Sequence, residues 1–83
     1  MRSLTELQAK LDRTQADVDN GVGHLTRHRA LVAHWIAEGK DAAELRELLE
    51  TLETTQLLHV HDRDRLRREL DAALAGRDHR WIG

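Results

Sequence analysis

Histidine is the residue type in this chain with the clearest potential for chemistry. The 83 residues include six histidines and no cysteine, so disulfides and thiolate zinc sites are excluded while imidazole remains available as a metal ligand or proton carrier. His24 and His28 are four residues apart, which places them on one face of a helix. His59 and His61 are two apart and point in nearly opposite directions on a helix, so this second pair does not bind one ion.

The elements that carry these histidines are predicted to be long helices. Charged residues make up 34% of the chain, and proline, phenylalanine and tyrosine are absent, a composition typical of helical proteins. Ser3 and Glu6 have the spacing of a capping box. Residues 20–23 include two glycines, but the apolar heptad pattern continues through them, so we expect one helix with a weak point there. The apolar repeat that indicates this first helix comprises Leu4, Leu7, Leu11, Val18, Leu25 and Val32.

The stretch AEGKDAAEL predicts a tight turn between two helices. Gly39 suits the left-handed position that follows a helix C-terminus, and Asp41 with Glu44 has the pattern of a new helix start. A connection this short makes the second helix run back antiparallel. The predicted fold is therefore all-α, a single coiled-coil-like helical hairpin over residues 1–83. Its predicted parts are helix 1 at about 4–38, a turn at 39–41, helix 2 at about 42–75 and an irregular tail at 76–83, where Gly76 ends the helix and Trp81 and Ile82 could dock.

The apolar positions are more numerous than one hairpin seam requires. Chains this short bury only about 60% of the surface that the unfolded chain exposes, and their folds are marginally stable. Apolar residues beside the seam that stay exposed to solvent forgo about 25 cal/mol of stabilisation per Å² of surface not buried. We therefore expect a homodimer in which two hairpins form a four-helix bundle. The alternative is a monomer with a wider seam and a docked tail. The residues expected at the dimer interface are Leu31, Trp35, Leu49, Leu57 and Val60.

The hairpin register brings several polar residues together. If the chain turns at Gly39, residue i lies near residue 80 − i, so His24 is expected beside Gln56 and His59 beside Gly21, where the missing side chain leaves room for an imidazole. We interpret the polar layer, His24, His28, Gln56 and His59, as hydrogen-bonded groups that fix register. The alternative is a divalent metal site or a pH-responsive bundle. No other cofactor is expected.

The charges indicate seam-flanking ion pairs rather than a charged ligand. The same register sets Arg27 opposite Glu53 and Arg29 near Glu50. The charged residues among positions 62–69, together with His61, are interpreted as a solvated helix face. The formal net charge is −2, with thirteen basic and fifteen acidic residues, so no broad positive field for nucleic acid is predicted.

Bulk features also bear on location and catalysis. No apolar run approaches the ~20 residues of a membrane span, and no signal peptide is evident, so the cytoplasm is the expected location. Ser3 is the single serine, no glycine-rich loop follows a strand, and two helices enclose little volume. We expect a non-catalytic interaction or regulatory module, not an enzyme, with a protein partner that the sequence does not identify.

Two resemblances accompany this interpretation. HLTRH, through His24, Leu25 and Arg27, is similar to the H-box of sensor histidine kinases. That resemblance implies phosphotransfer at His24, although the proline that follows an H-box and an ATP-binding domain are missing.

The second resemblance spans residues 23–70, which look like a group of short bacterial helical proteins with no known activity. His28 stands where that group is expected to have glutamine, which weakens its role as a ligand. The resemblance implies a small intracellular bacterial protein. It is carried by His24, Arg27, Arg29, Gly39, Asp41, Leu49, Leu52, His59 and the run Asp62, Arg63, Asp64, Arg65, Leu66.

Overall fold

The protein is an antiparallel hairpin of two long helices. The computed structural model describes the backbone of residues 3–82 and the side chains of residues 3–76. Helix α1 spans Leu4–Ala37 and helix α2 spans Ala43–Ile82, and residues 3–82 contain no strand. The hairpin measures 68 × 17 × 14 Å. The predicted all-α hairpin is confirmed.

Helix α1 begins at a side-chain cap and continues without interruption. The Ser3 hydroxyl oxygen accepts a hydrogen bond from the Glu6 amide at 3.1 Å, which satisfies one of the N–H groups that lack partners in the first turn. The helix runs through Gly21 and Gly23, as expected from the heptad pattern. Two interior glycines cost roughly 1 kcal/mol each, so packing against α2 must hold this segment.

The turn after α1 depends on the left-handed conformation of Gly39. This residue has φ 75°, which a residue with a Cβ rarely adopts. The Gly39 amide donates to the Ile36 carbonyl at 3.0 Å, and the Lys40 amide donates to the Trp35 carbonyl at 2.9 Å. These two bonds form a Schellman motif, which satisfies the last carbonyls of α1 and reverses the chain.

Helix α2 begins where predicted but extends further. The Asp41 carboxylate accepts from the Ala43 amide at 3.0 Å. The prediction that the helix ends at Gly76 is wrong, because α2 continues to Ile82. Gly76 keeps a helical backbone: one glycine costs about 1 kcal/mol, and no proline follows to stop the helix. The predicted docking of Trp81 concerns a side chain outside the described residues.

The best-packed part of the seam lies at the open end of the hairpin, away from the turn. A leucine cluster there joins the two helices, with Leu7 and Leu66 each only 2% exposed. Leu4 and Ala73 pack against it. Burial of a leucine side chain contributes about 1.5–3 kcal/mol, so this cluster is the main source of stability. The leucine cluster comprises Leu7, Leu11, Leu66 and Leu70.

The register of the hairpin follows from contacts along its length. Leu11 packs with Leu66 at the open end, and Arg29 pairs with Glu53 closer to the turn. Residues at the same level of the two antiparallel helices have numbers that add up to about 77, within one helical turn of the register expected from the turn. Every seventh residue of α1 is buried along this seam, at Leu11, Val18, Leu25 and Val32.

Candidate interaction surfaces and polar layer

The middle of the seam is held by a glutamine that fits against a glycine. Gln56 Nε2 donates to the Val18 carbonyl of α1 at 2.9 Å. Its side-chain amide lies so close to Gly21 that a Cβ atom there would overlap it. Gln56 Oε1 is buried and has no hydrogen-bond partner, which carries a cost in a low-dielectric interior. This contact therefore constrains where α2 sits along α1.

The prediction that Gly21 makes room for His59 is wrong. The space above the glycine is filled by the amide of Gln56. Gln56 occupies a seam position of α2 that points at α1, whereas His59 lies almost one turn further along the helix and only lines the adjacent cleft. The glycine does admit a polar side chain, as its place in the register indicated, but the side chain comes from a different residue.

A polar cleft of about 270 Å³ opens beside this contact. It brings together three of the four predicted layer residues, His24, Gln56 and His59. His24 is exposed and His59 is half-buried, and Arg27 Nη2 lies 3.4 Å from His24 Nδ1. The residues that line the polar cleft are Asp17, Asn20, Gly21, His24, Leu52, Thr55, Gln56 and His59.

The fourth layer residue, His28, lies apart from the cleft. Its Nε2 is 3.2 Å from the Leu45 carbonyl of α2, a distance at which the ring N–H donates across the seam. His28 therefore joins the helices closer to the turn and is not directed toward the same point as His24. Among the residues whose side chains are described, no group of three or more His, Asp or Glu is placed to hold a metal ion.

One ion pair crosses between the helices in the described region, with partners that differ from the predicted ones. Arg29 Nη2 lies 3.7 Å from Glu53 Oε2, so the predicted pairings of Arg27 with Glu53 and of Arg29 with Glu50 are both wrong. Arg27 lies on the same side as His24 and contacts that ring instead. The Arg29–Glu53 side chains are about half exposed, so this pair contributes at most about 1 kcal/mol.

The charged run of α2 forms local pairs on an exposed face. Arg65 pairs with Asp62 and, at 3.6 Å, with Glu69, while Arg63 pairs with Asp64 at 3.0 Å. The hydrogen bond to Asp62, helped by the charges of Asp62 and Glu69, raises the pKa of Arg65 above its usual value. Positive charge in this run is thus offset by carboxylates within the same helix, as expected for a solvated face.

The seam divides the hairpin into two sides with different character. One side, here called the patch side, carries a central apolar patch composed of Val22, Leu57 and Val60. Val22 is 56% exposed and Leu57 60% exposed, and Val60 is half-buried. A shallow cavity on this side is shared by Leu57, Val60 and the Arg29–Glu53 pair. The helical spacing puts all three patch residues near the middle of the 68 Å length.

The opposite side, here called the cleft side, contains the polar cleft. Leu31 and Leu48 are exposed on this side nearer the turn. The predicted interface residues are therefore distributed over the molecule: Leu57 and Val60 belong to the patch side, and Leu31 belongs to the cleft side. Leu49 and Trp35 lie half-buried in the seam. Dimerisation through any of them stays a prediction.

The end of the seam at the turn is covered by Trp35. Its ring is half-buried, and Lys40 Nζ lies 5.4 Å from the ring centroid, a cation–π distance. Trp35 thus packs against the turn of its own chain.

Both ends of the patch side also expose apolar groups. Near the turn, Ile36 is exposed on this side of α1. At the open end, a groove of about 470 Å³ runs between the two helices, with Leu74 exposed at its edge. The open-end groove is lined by Leu4, Thr5, Gln8, Ala9, Asp12, Leu70 and Leu74.

Neither helix, over its described residues, combines the length and the apolar content that crossing a membrane requires. Comparison with known proteins gives no match: no family model matches the chain, and no curated protein or solved structure is significantly similar to it.

Proposed function

We propose that this protein is a non-catalytic interaction module that works as a homodimer, in which two hairpins pack side by side into a four-helix bundle. The proposal includes the cytoplasm as its location and another protein, bound by the assembled bundle, as its partner. It rests on one observation above all, the amount of apolar surface that a single hairpin leaves uncovered.

The surface area of the hairpin supports this proposal. The chain has a mass of 9.5 kDa and exposes 6418 Å², whereas a compact monomer of this mass exposes about 5,000 Å². The excess is of the same order as the ~800 Å² that each subunit buries in a stable dimer. A second hairpin packed along the length of the first would remove an area of this size from water.

The chemical nature of the exposed groups also favours association over catalysis. Among residues 3–76, whose side chains are described, seven large apolar residues remain 40–65% exposed, and burial of such groups is the main favourable term in subunit association. The polar cleft, by contrast, offers one exposed and one half-buried histidine at its rim. The exposed apolar residues are Val22, Leu31, Ile36, Leu48, Leu57, Leu58 and Leu74.

Sedimentation equilibrium on the purified protein tests the proposal. We expect the wild type to sediment at twice the chain mass at micromolar concentration. Leu57→Glu should raise the dimer Kd at least tenfold, because it introduces a charge into the central apolar patch. Leu58→Glu is the matched control: Leu58 is the adjacent leucine and is 65% exposed, but it lies outside the patch, so the dimer should persist.

The proposal is contradicted if the wild-type protein sediments as a folded monomer at concentrations up to about 100 μM. A dimer Kd above that concentration would be weak for any subunit interface. Circular dichroism on both variants separates a lost interface from a lost fold. A dimer weakened equally by Leu57→Glu and Leu58→Glu would assign the association to a different surface.

A further inference from the structure

The orientation of the two copies can be derived from the patch side, and this inference rests on the proposed homodimer. We infer that the hairpins pack patch side to patch side with the turn of one copy over the open end of the other. The two-fold axis then crosses the hairpin at the level of the central apolar patch. In this arrangement α1 packs antiparallel to the partner's α1, and α2 antiparallel to the partner's α2.

A second stripe on α2 provides the first argument. Besides its seam with α1, α2 carries residues at alternating steps of four and three that share the patch side, which is the spacing of a second packing surface. The middle of this stripe is apolar and both of its arms are charged. In chain order the stripe consists of Arg46, Glu50, Glu53, Leu57, Val60, Asp64, Arg67, Asp71 and Leu74.

The charges of this stripe are complementary to themselves in antiparallel orientation. When Leu57 faces the partner's Val60, Glu50 faces the partner's Arg67. Arg46 then faces the partner's Asp71. Two-fold symmetry repeats each contact, so the stripe makes four attractive pairs in total. Among the described residues, none of these four charged side chains takes part in an ion pair within its own chain.

One of the two neighbouring registers is disfavoured by the same charges. A shift of about half a heptad would set Arg46 against the partner's Arg67. It would also set Glu50 against the partner's Asp64, so that like charges face one another along both arms. In the proposed register the like-charged contact along the stripe is Glu53 with the partner's Asp64, which the symmetry also makes twice. Each of these is already neutralised in its own chain, by Arg29 and by Arg63 respectively.

The same axis also places helix α1. Because level residues add up to about 77, the axis that pairs Leu57 with the partner's Val60 crosses α1 near Val18 and Asp19. Arg29 then lies level with the partner's Gln8, about one turn from its Asp12, and the exposed Ile36 lies at the partner's open end.

A charge-reversal cycle tests this orientation. Glu50→Arg and Arg67→Glu should each raise the dimer Kd by about tenfold, since each replaces two attractive contacts by repulsive ones. The double variant should return Kd to within about threefold of wild type. Within one chain these residues are 17 positions apart, about 25 Å along the helix, so restoration can arise only between subunits. Sedimentation equilibrium provides the readout.

A matched control uses exposed charges on the side of α2 that is turned away from the stripe. Glu44→Arg and Arg65→Glu, alone and together, change the same residue types at exposed positions and should leave Kd unchanged. A wild-type monomer would overturn the proposed homodimer itself. The antiparallel orientation, but not the homodimer, would be overturned if the wild type is a dimer and the double variant Glu50→Arg/Arg67→Glu binds no more tightly than the single variants. That result would favour a dimer with both turns at the same end.

Discussion

The leucine cluster and the polar middle of the seam lie on the same two helices but serve different purposes. At the open end Leu7 and Leu66 are almost completely buried. Twenty ångströms or so along the seam, the helices meet instead through Gln56, which leaves one buried oxygen without a partner. The leucines supply burial and tolerate several registers, whereas the glutamine fits only where Gly21 leaves space. Stability and register are therefore determined in separate regions.

The difference follows from the physics of the two contacts. Burial of apolar surface is non-directional, so leucines of similar shape pack nearly as well after a shift of one heptad. A hydrogen bond is directional, and an unpaired buried amide is costly. The Gln56–Val18 bond thus adds little net free energy but makes other registers unfavourable. A polar group in a coiled-coil seam has this effect generally.

The largest expected effect lies in the leucine cluster. Leu66→Ala should lower the free energy of unfolding by about 2–5 kcal/mol, because it leaves a cavity beside Leu7, Leu11 and Leu70. Chemical denaturation at fixed protein concentration measures this change. Leu58→Ala is the control, since Leu58 is mostly exposed and should change stability by about 0.5 kcal/mol or less. Equal losses for the two variants would contradict the assignment of the core to the open end.

A smaller effect is expected at the polar middle, where two glycines give a matched pair. Gly21→Ala should destabilise the protein by up to about 2 kcal/mol, because the new methyl group displaces the buried amide of Gln56 from its bond to Val18, a loss of about 1–3 kcal/mol that exceeds the gain of about 1 kcal/mol from alanine in a helix. Gly23→Ala should stabilise it by about 0.5–1 kcal/mol, because the added Cβ meets only the flexible end of Arg27, at 3.4 Å. Thermal unfolding of both variants gives opposite signs if Gln56 occupies the Gly21 site.

The sign of the Gly21→Ala effect decides between two views of this position. If both glycine variants are stabilised, position 21 is simply an unfavourable helix residue and Gln56 does not determine the register. The double variant Gly21→Ala/Gln56→Ala completes the test. If Gly21→Ala is destabilising, and adding Gln56→Ala to it causes no further loss of stability, the two residues act as one contact.

Much of the fold could be predicted because it depends on local signals. The heptad pattern indicated α1 even across its glycines, and Gly39 with Asp41 indicated the turn. The end of α2 was missed because a glycine is a strong stop only where the chain must leave the helix, as at Gly39 with its positive φ. Gly76 has no such requirement, and α2 passes through it.

For the candidate site, the sequence could predict which residues lie at the same level of the two helices, but not which of their side chains are in contact. Register correctly grouped His24, Gln56 and Gly21 at one level. It did not determine which side chain fills the space above the glycine, or whether Arg27 or Arg29 reaches Glu53. Those choices depend on the direction in which each side chain leaves its helix, and this direction turns by about 100° from one residue to the next. Side-chain direction also places Leu31 on the cleft side and Leu57 on the patch side.

The most direct test of the account is the distance between the two turns of the dimer. A spin label at Ala37→Cys lies at the exposed end of α1, and the chain contains no other cysteine. Pulsed electron paramagnetic resonance should give one distance of roughly 55 Å, from 1.5 Å per residue on either side of the axis. A distance under about 30 Å would place both turns at the same end, contradicting the orientation, and the absence of any dipolar coupling would contradict the dimer.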